Sequence, residues 1–378
     1  MKILIVHNSL NPCGGGERVC LHTIKAMMEE GYEVDLAVVE KTNWQKVLSI
    51  IPVELPKLPR EYYLLKRLRC FGIYQRVIAS LHVLYNWKKY DVTINTHGDL
   101  MITPCDIVYC HFPYFTLLEN EPWRYASKYY SSLFWRMYFE PYRLVQKHLS
   151  QLMRESGILL TNSSFSHDVL LKYSNRKSLI VYPPIELKEY EALTSNVDRE
   201  DIVVSIARFA YEKNLHLIPY IASIVKKAKF IIIGSVHGYE SQRYYNYILE
   251  LKRKLKVDNL EIYPNAPHKL KIDILRRSKV YLHLMMFEHL GLAPIEAMAS
   301  GLIPVVHKSG GTWSDVVEYG KFGLGFEKLS PYEVAEVIEK ALDLWNPKLL
   351  KKLSSKAKQF SDELFREKMK LIVKKVLR

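Results

Sequence analysis

Two carboxylates eight positions apart, Glu288 and Glu296, enclose a glycine loop in the stretch Glu288-His289-Leu290-Gly291-Leu292-Ala293-Pro294-Ile295-Glu296. Proline favours the first turn of a helix, so Glu296 is expected in that turn and Glu288 at the end of the apolar run 280–287. Both acids then border one crevice at the carboxyl end of a strand. Open α/β sheets take their ligands there, and the N–H groups of a helix start suit an anion. Carboxylates repel phosphate, so their own partners would be neutral hydroxyls, such as those of a sugar and a ribose. The competing reading is two acids on a solvated helix start.

Four further groups offer chemistry. Arg208 and Lys213, in Ala207-Arg208-Phe209-Ala210-Tyr211-Glu212-Lys213-Asn214, fall in a strand-to-helix loop. There they form either a surface pair or an electropositive diphosphate site that stabilises a leaving diphosphate as its charge develops. Ser309-Gly310-Gly311-Thr312, before another helix, offers a backbone-rich anion cradle. His111, in His111-Phe112-Pro113, closes an expected strand and is either structural or catalytic, with His97 as the substitute. Gly14-Gly15-Gly16 admits close approach of backbone to a ligand, or simply a tight turn.

The elements that must position these groups read as two successive parallel α/β halves. The first opens with a strand at 2–7, a helix at 17–30 and a strand at 33–39, and continues with strands near 91–95, 107–110, 157–161 and 178–182. Residues 59–90 read as mostly helical, basic and tyrosine-rich. Residues 126–149 read as a long helix, apolar nearly all round, either buried in the first half or lying at a lipid interface. The polar stretch 186–201 marks the boundary. Strands at 202–207, 230–234, 260–263, 280–286 and 303–307 build the second half, and 348–378 is helical and basic.

Composition narrows the classes. The net charge of +14 suits polyanions, anionic membranes or phosphorylated substrates. The five cysteines are odd in number with no C-x-x-C pair, which argues against disulfides or a zinc knuckle and for a reducing cytoplasm. No membrane span is expected, so membrane contact would be peripheral. The opening unit with Glu40 suggests a dinucleotide site, yet the G-x-G-x-x-G spacing fails, and no nucleic-acid motif accompanies the basic charge. An NAD-dependent oxidoreductase and a basic nucleic-acid binder are therefore the remote alternatives. No D-x-D metal clamp occurs, so cationic side chains and helix starts would neutralise a leaving diphosphate.

The ordered set resembles the retaining glycosyltransferases of family 4: the glycines 14–16, His111, Arg208 with Lys213, and the E-x7-E of Glu288 and Glu296. Within it, Gly14-Gly15-Gly16-Glu17-Arg18, Tyr109-Cys110-His111-Phe112-Pro113, Val181-Tyr182-Pro183-Pro184 and His307-Lys308-Ser309-Gly310-Gly311 resemble the eukaryotic Alg11 type. Leu290 and Ala293 depart from that pattern, as does the absence of a membrane anchor before the first strand. The resemblance implies a GT-B fold of class α/β, two Rossmann-like parallel-sheet domains facing across a cleft. It places an acceptor-binding domain at 1–190, a nucleotide-sugar-binding domain at 191–360, and a helix at 361–378 returning to the first domain.

The same resemblance implies an enzyme that moves a hexose, with GDP-mannose the favoured donor, to a polyprenyl-diphosphate-linked glycan at an anionic membrane surface on the cytoplasmic side. A UDP-sugar enzyme of the same fold is the alternative. No cofactor, no metal and no nucleic-acid partner are expected. Arg208 and Lys213 would hold the diphosphate, Glu296 the ribose, and Glu288 with the backbone of Gly291 and Leu292 the donor sugar. His111 would stand beside the anomeric centre, and Gly15 with Gly16 would let the first domain approach the phosphates. Arg67, Arg69, Phe71, Tyr74, Trp123, Arg124, Phe134 and Trp135 are the candidates for membrane contact.

Overall fold

The computed structural model describes residues 1–66, 87–98, 105–113, 132–155, 157–195 and 198–377. They divide into two compact units, Met1–Pro184 with Asp362–Arg378, and Ile185–Ser361. Arg67, Arg69, Phe71, Tyr74, Trp123 and Arg124 lie outside the described residues.

The first unit holds β1 (Lys2–Val6), α1 (Gly15–Glu29), β2 (Glu33–Glu40), α2 (Trp44–Ile50), β3 (Arg60–Leu65), β4 (Val92–Asn95), β5 (Ile107–Cys110), α3 (Leu133–Glu155), β6 (Ile158–Thr161), α4 (Ser164–Ser174) and β7 (Leu179–Ile180). The strands form one sheet in the order β3-β2-β1-β4-β5-β6-β7, with every pairing parallel. Near-continuous apolar runs such as Ile3-Leu4-Ile5 are what a sheet covered on both faces requires, and all three residues are buried. The strand order reverses between β1 and β4, which makes the crevice at their carboxyl ends the natural ligand position.

The second unit repeats this plan. It contains α5 (Lys188–Ala192), β8 (Glu200–Ile206), α6 (Ile218–Ile224), β9 (Lys229–Gly234), α7 (Gly238–Lys254), β10 (Leu260–Pro264), α8 (His268–Arg277), β11 (Ser278–His283), α9 (Leu292–Ala299), β12 (Ile303–His307), β13 (Leu324–Phe326), α10 (Pro331–Leu344) and α11 (Pro347–Ala357). Its parallel sheet runs β10-β9-β8-β11-β12-β13, so the reversal falls between β8 and β11.

The last helix, α12 (Asp362–Val376), belongs to the first unit. Its Phe365, Met369 and Val373 enter the core formed by Ile24 and Met27 of α1 and Tyr109 of β5. Arg366 and Lys370 reach Glu29 at 3.4 and 2.8 Å, which adds charge pairing along the same contact.

The structure overturns one expectation and makes two more precise. Residues 60–65 are an edge strand rather than helix: β3 pairs in parallel with β2, and the Glu61 carboxylate accepts from the Thr42 N–H at 2.7 Å and the Trp44 indole at 2.8 Å. Those two anchors and the sheet edge outweigh local helix preference. The stretch 186–201, read as the boundary, belongs to the second unit, which begins at Ile185; Leu187, Tyr190 and Leu193 are buried and Ile185 bridges to Ser361. Helix α3, expected to be either buried or at a lipid interface, has one covered and one exposed side. Phe139 and Tyr142 are covered, while Leu133, Phe134, Met137 and Leu144 are between 61% and 74% exposed.

Candidate active site

In the second unit, the end of β11 and the loops after β8 and β12 converge on Glu288. Phe287 takes a left-handed conformation (φ 52°), and its N–H donates to the Ser309 hydroxyl at 2.8 Å. The Gly311 N–H donates to the Glu288 carbonyl at 2.8 Å. Gly310, at φ +70°, fits only as glycine, since a Cβ there would stand 2.3 Å from that same carbonyl. The 309–312 loop therefore clamps the Glu288 backbone. Two amides of this expected anion cradle are thereby engaged internally, Gly311's on Glu288 and Ser309's on the His307 carbonyl at 2.7 Å.

The Glu288 side chain is held from two sides. Oε2 lies 2.6 Å from Lys213 Nζ and 3.3 Å from His283 Nε2. Burial by itself would raise the carboxyl, but the His283 ring and the Lys213 ammonium outweigh it and hold the group well below the usual range. Lys213 arrives through the turn Tyr211–Lys213, which Asn214 locks by donating its amide to the Leu284 carbonyl at 3.0 Å. The same ammonium lies 2.9 Å from Met285 Sδ. Arg208 is 72% exposed and pairs with Glu212 at 3.5 Å, a weak surface contact that leaves it available to an anion.

Gly291 (φ +86°) turns the chain into α9, with a hypothetical Cβ 3.3 Å from Glu288 Cγ and 3.0 Å from Thr312 Oγ1. The helix therefore begins at Leu292, ahead of Pro294. That puts Glu296 two residues deeper than expected, just past the first turn. Glu296 is buried, 2.5 Å from Lys271 Nζ, which also donates to the Tyr190 hydroxyl at 2.9 Å. Burial would lower the Lys271 ammonium, but Glu296 and Tyr190 reverse the sign and hold it protonated.

In the first unit, His111 stands at the end of β5. Its Nε2 lies 2.9 Å from the Thr96 carbonyl. A carbonyl only accepts, so that nitrogen carries the proton. Burial, with His7 acting in the same direction, pushes the imidazole down to about 4 against the Thr96 carbonyl and Glu17, so the ring is neutral near pH 7. A Cβ on Gly16 would stand 3.3 Å from Nε2, which ties the glycine loop to the histidine. Gly15 is the first residue of α1. Glu17 accepts from the Gly14 N–H at 2.6 Å and lies 3.5 Å from His7 Nε2, while His7 Nδ1 meets Thr96 Oγ1 at 3.0 Å. His97 stacks edge-on to His7 at 5.4 Å.

Of the expected residues, Glu288, Lys213 and Gly291 thus form one group, Glu296 a second held by Lys271, and His111 with Gly16 a third in the other unit. His283, Lys271 and Tyr190 were not foreseen. His283 carried a signal, a lone polar residue in an apolar run; Tyr190 and Lys271 are 81 positions apart and carried none.

Residues 189–360 match the family described as glycosyl transferases group 1. The second unit is a glycosyl transferases group 1 domain. The chain is 35% identical over 202 residues to a Neurospora crassa protein named GDP-Man:Man(3)GlcNAc(2)-PP-Dol alpha-1,2-mannosyltransferase, covering 49% of this chain and 36% of that one. The match thus spans little more than a third of that relative's length. The Homo sapiens protein of the same name is 24% identical over 97% of this chain and 85% of its own. The solved structure described as Anabaena Alr3699/HepE in complex with UDP and glucose superposes with a TM-score of 0.69 at 14% identity, over 99% of each chain. The fold is GT-B, two Rossmann-like parallel-sheet domains in one chain. In the glycosyl transferases group 1 domain, the Glu288 and Glu296 clusters both follow β11 beside the strand-order reversal, the ligand position of such sheets. Among the described residues no cluster of His, Cys, Asp or Glu fits a metal ion.

Proposed function

We propose that this protein is a retaining hexosyltransferase that moves mannose from GDP-mannose to a polyprenyl-diphosphate-linked glycan. The observation that carries the reading is the Lys213–Glu288–His283 cluster at the carboxyl end of β11, inside the glycosyl transferases group 1 domain. The names of the Neurospora and human relatives supply the donor and acceptor class.

In this reading the exposed Arg208 and the Lys213 ammonium hold the donor diphosphate and stabilise its charge as the glycosidic bond breaks. The ionised Glu288 accepts from donor-sugar hydroxyls beside the backbone of Gly291 and Leu292, and Glu296 accepts from the ribose. His111, neutral and protonated on Nε2, acts at the anomeric centre as a dipole rather than a cation. The reaction then needs no metal.

The acceptor lipid would stay in the membrane, so the enzyme works as a peripheral protein on the cytoplasmic face. The exposed Leu133, Phe134 and Met137 of α3 and the net charge of +14 support docking at anionic headgroups. No helix among the described residues is long and apolar enough to cross a membrane. The deciding experiment offers a panel of nucleotide sugars with a polyprenyl-diphosphate glycan and reads the lipid product by mass spectrometry. A mannosylated product from GDP-mannose alone is expected; transfer only from UDP-sugars would replace the donor assignment.

A further inference from the structure

The face of α7 turned away from the sheet carries a groove of about 690 Å³, completed by Tyr211 and His216 from the loop after β8. Its size falls within the roughly 300–1,000 Å³ of small-molecule sites. None of the donor-site residues named above lines it.

The wall is stiff and aromatic. Tyr239 and Tyr247 of α7 and Tyr211 of the loop are 78%, 41% and 51% exposed. Tyr211 is held against the fully buried Tyr244 with ring centres 4.3 Å apart, and the Tyr244 hydroxyl lies 3.0 Å from the His216 N–H and 2.9 Å from its Nδ1. The Tyr247 ring lies 6.3 Å from that of His216. These contacts hold the Tyr211 and Tyr247 rings in place, so two of the three flat apolar faces lose little entropy on contact.

The polar part is neutral. Gln242 donates to Asn246 one helical turn on, at 3.1 Å, which aligns two amides along the groove. Arg243 and Glu250 complete the lining with cancelling charges, and among the described residues neither has an ion-pair partner. Among the described residues no aliphatic side chain lines the groove. In a chain of net charge +14 this is a locally uncharged surface. A phosphate ligand would want excess cations, and a peptide would want aliphatic pockets for its side chains. Flat aromatic faces beside amides, a guanidinium and a carboxylate suit a ring with an apolar C–H face and a rim of hydroxyls.

We propose that this groove is a binding site for a neutral hexose oligosaccharide, separate from the donor site. It does not depend on the transfer reaction proposed above. The test is saturation-transfer NMR on the full chain with mannotriose, maltotriose and cellotriose at millimolar concentration, in the presence of saturating GDP. Transfer to the C–H protons of at least one trisaccharide is expected. It should be lost in the double variant Tyr239→Ala, Tyr247→Ala and weakened in Gln242→Ala, with circular dichroism and melting temperature unchanged, since all three side chains are exposed. Absence of transfer in the wild type, or transfer that survives the double variant, overturns the proposal. So does retention of peptides from a random library through the two tyrosines without any sugar signal, which would make the groove a protein-docking face.

Discussion

The Lys213 ammonium lies 2.6 Å from the Glu288 carboxylate, and both side chains are largely buried. Removing one member of such a pair strands the other charge, at a cost on the order of 3 kcal/mol. Lys213→Met is therefore expected to lower unfolding stability by about that amount and to weaken donor binding. The double variant Lys213→Met, Glu288→Gln should recover part of the stability and none of the transfer activity. Denaturant unfolding with activity assays checks this, and additive stability losses would show that the two groups do not interact.

Glu296 and Arg208 separate affinity from stability. Arg208→Ala, at an exposed position, should weaken nucleotide-sugar binding by about 1–3 kcal/mol and leave the melting temperature unchanged. Glu296→Ala should do both harms, because Lys271 then remains buried without its carboxylate. Calorimetry that finds full nucleotide affinity in both variants would remove these residues from the donor site.

His111 makes folding sensitive to acid. The folded ring resists protonation until about pH 4, against 6.5 for the ordinary group, so the unfolded chain binds more protons across that window. Stability therefore rises with pH between those values and is lost on acidification, by up to about 3 kcal/mol from this residue. His111→Gln should flatten that part of the stability curve, and should lower kcat far more than it raises KM. An unchanged slope would mean the ring titrates normally.

Gly16→Ala probes the contact between the glycine loop and His111. Alanine favours a helix over glycine by up to about 1 kcal/mol, but a displaced His111 leaves the Thr96 carbonyl without its donor, so stability should hold or fall by on the order of 1 kcal/mol. The new methyl group meets His111 Nε2 at 3.3 Å and should displace the ring from Thr96, with turnover falling at least about tenfold. A variant with wild-type turnover would make the close approach irrelevant to catalysis.

Exposed residues of α3 should direct membrane binding. Phe134→Ser with Met137→Ser is expected to remain folded and to bind nucleotide, yet no longer to sediment with anionic vesicles at moderate salt. Unfolding of this variant would instead place the two side chains in a packed surface.

Much of this architecture was legible in local pattern. Continuous apolar runs mark strands covered on both faces, so every strand except β3 and β13 followed from the pattern along the chain. Glu288, Gly291 and Glu296 could be placed around one strand-to-helix turn because a glycine and a proline punctuate the backbone locally. Distance along the chain is what hid the rest. Whether 60–65 is strand or helix depended on the edge of β2 and on Thr42 and Trp44. That α12 belongs with the first unit was implied by the family resemblance but by no local pattern; it rests on packing against α1, more than 300 residues earlier, where Phe365 and Met369 share a core with Ile24 and Met27. The partners of the two acids, His283 and Lys213 for Glu288, and Lys271 with Tyr190 for Glu296, are set by side chains that meet only once the sheet is assembled. A periodicity of two or 3.6 residues encodes which face of an element is buried; it carries no record of which distant residue will lie opposite.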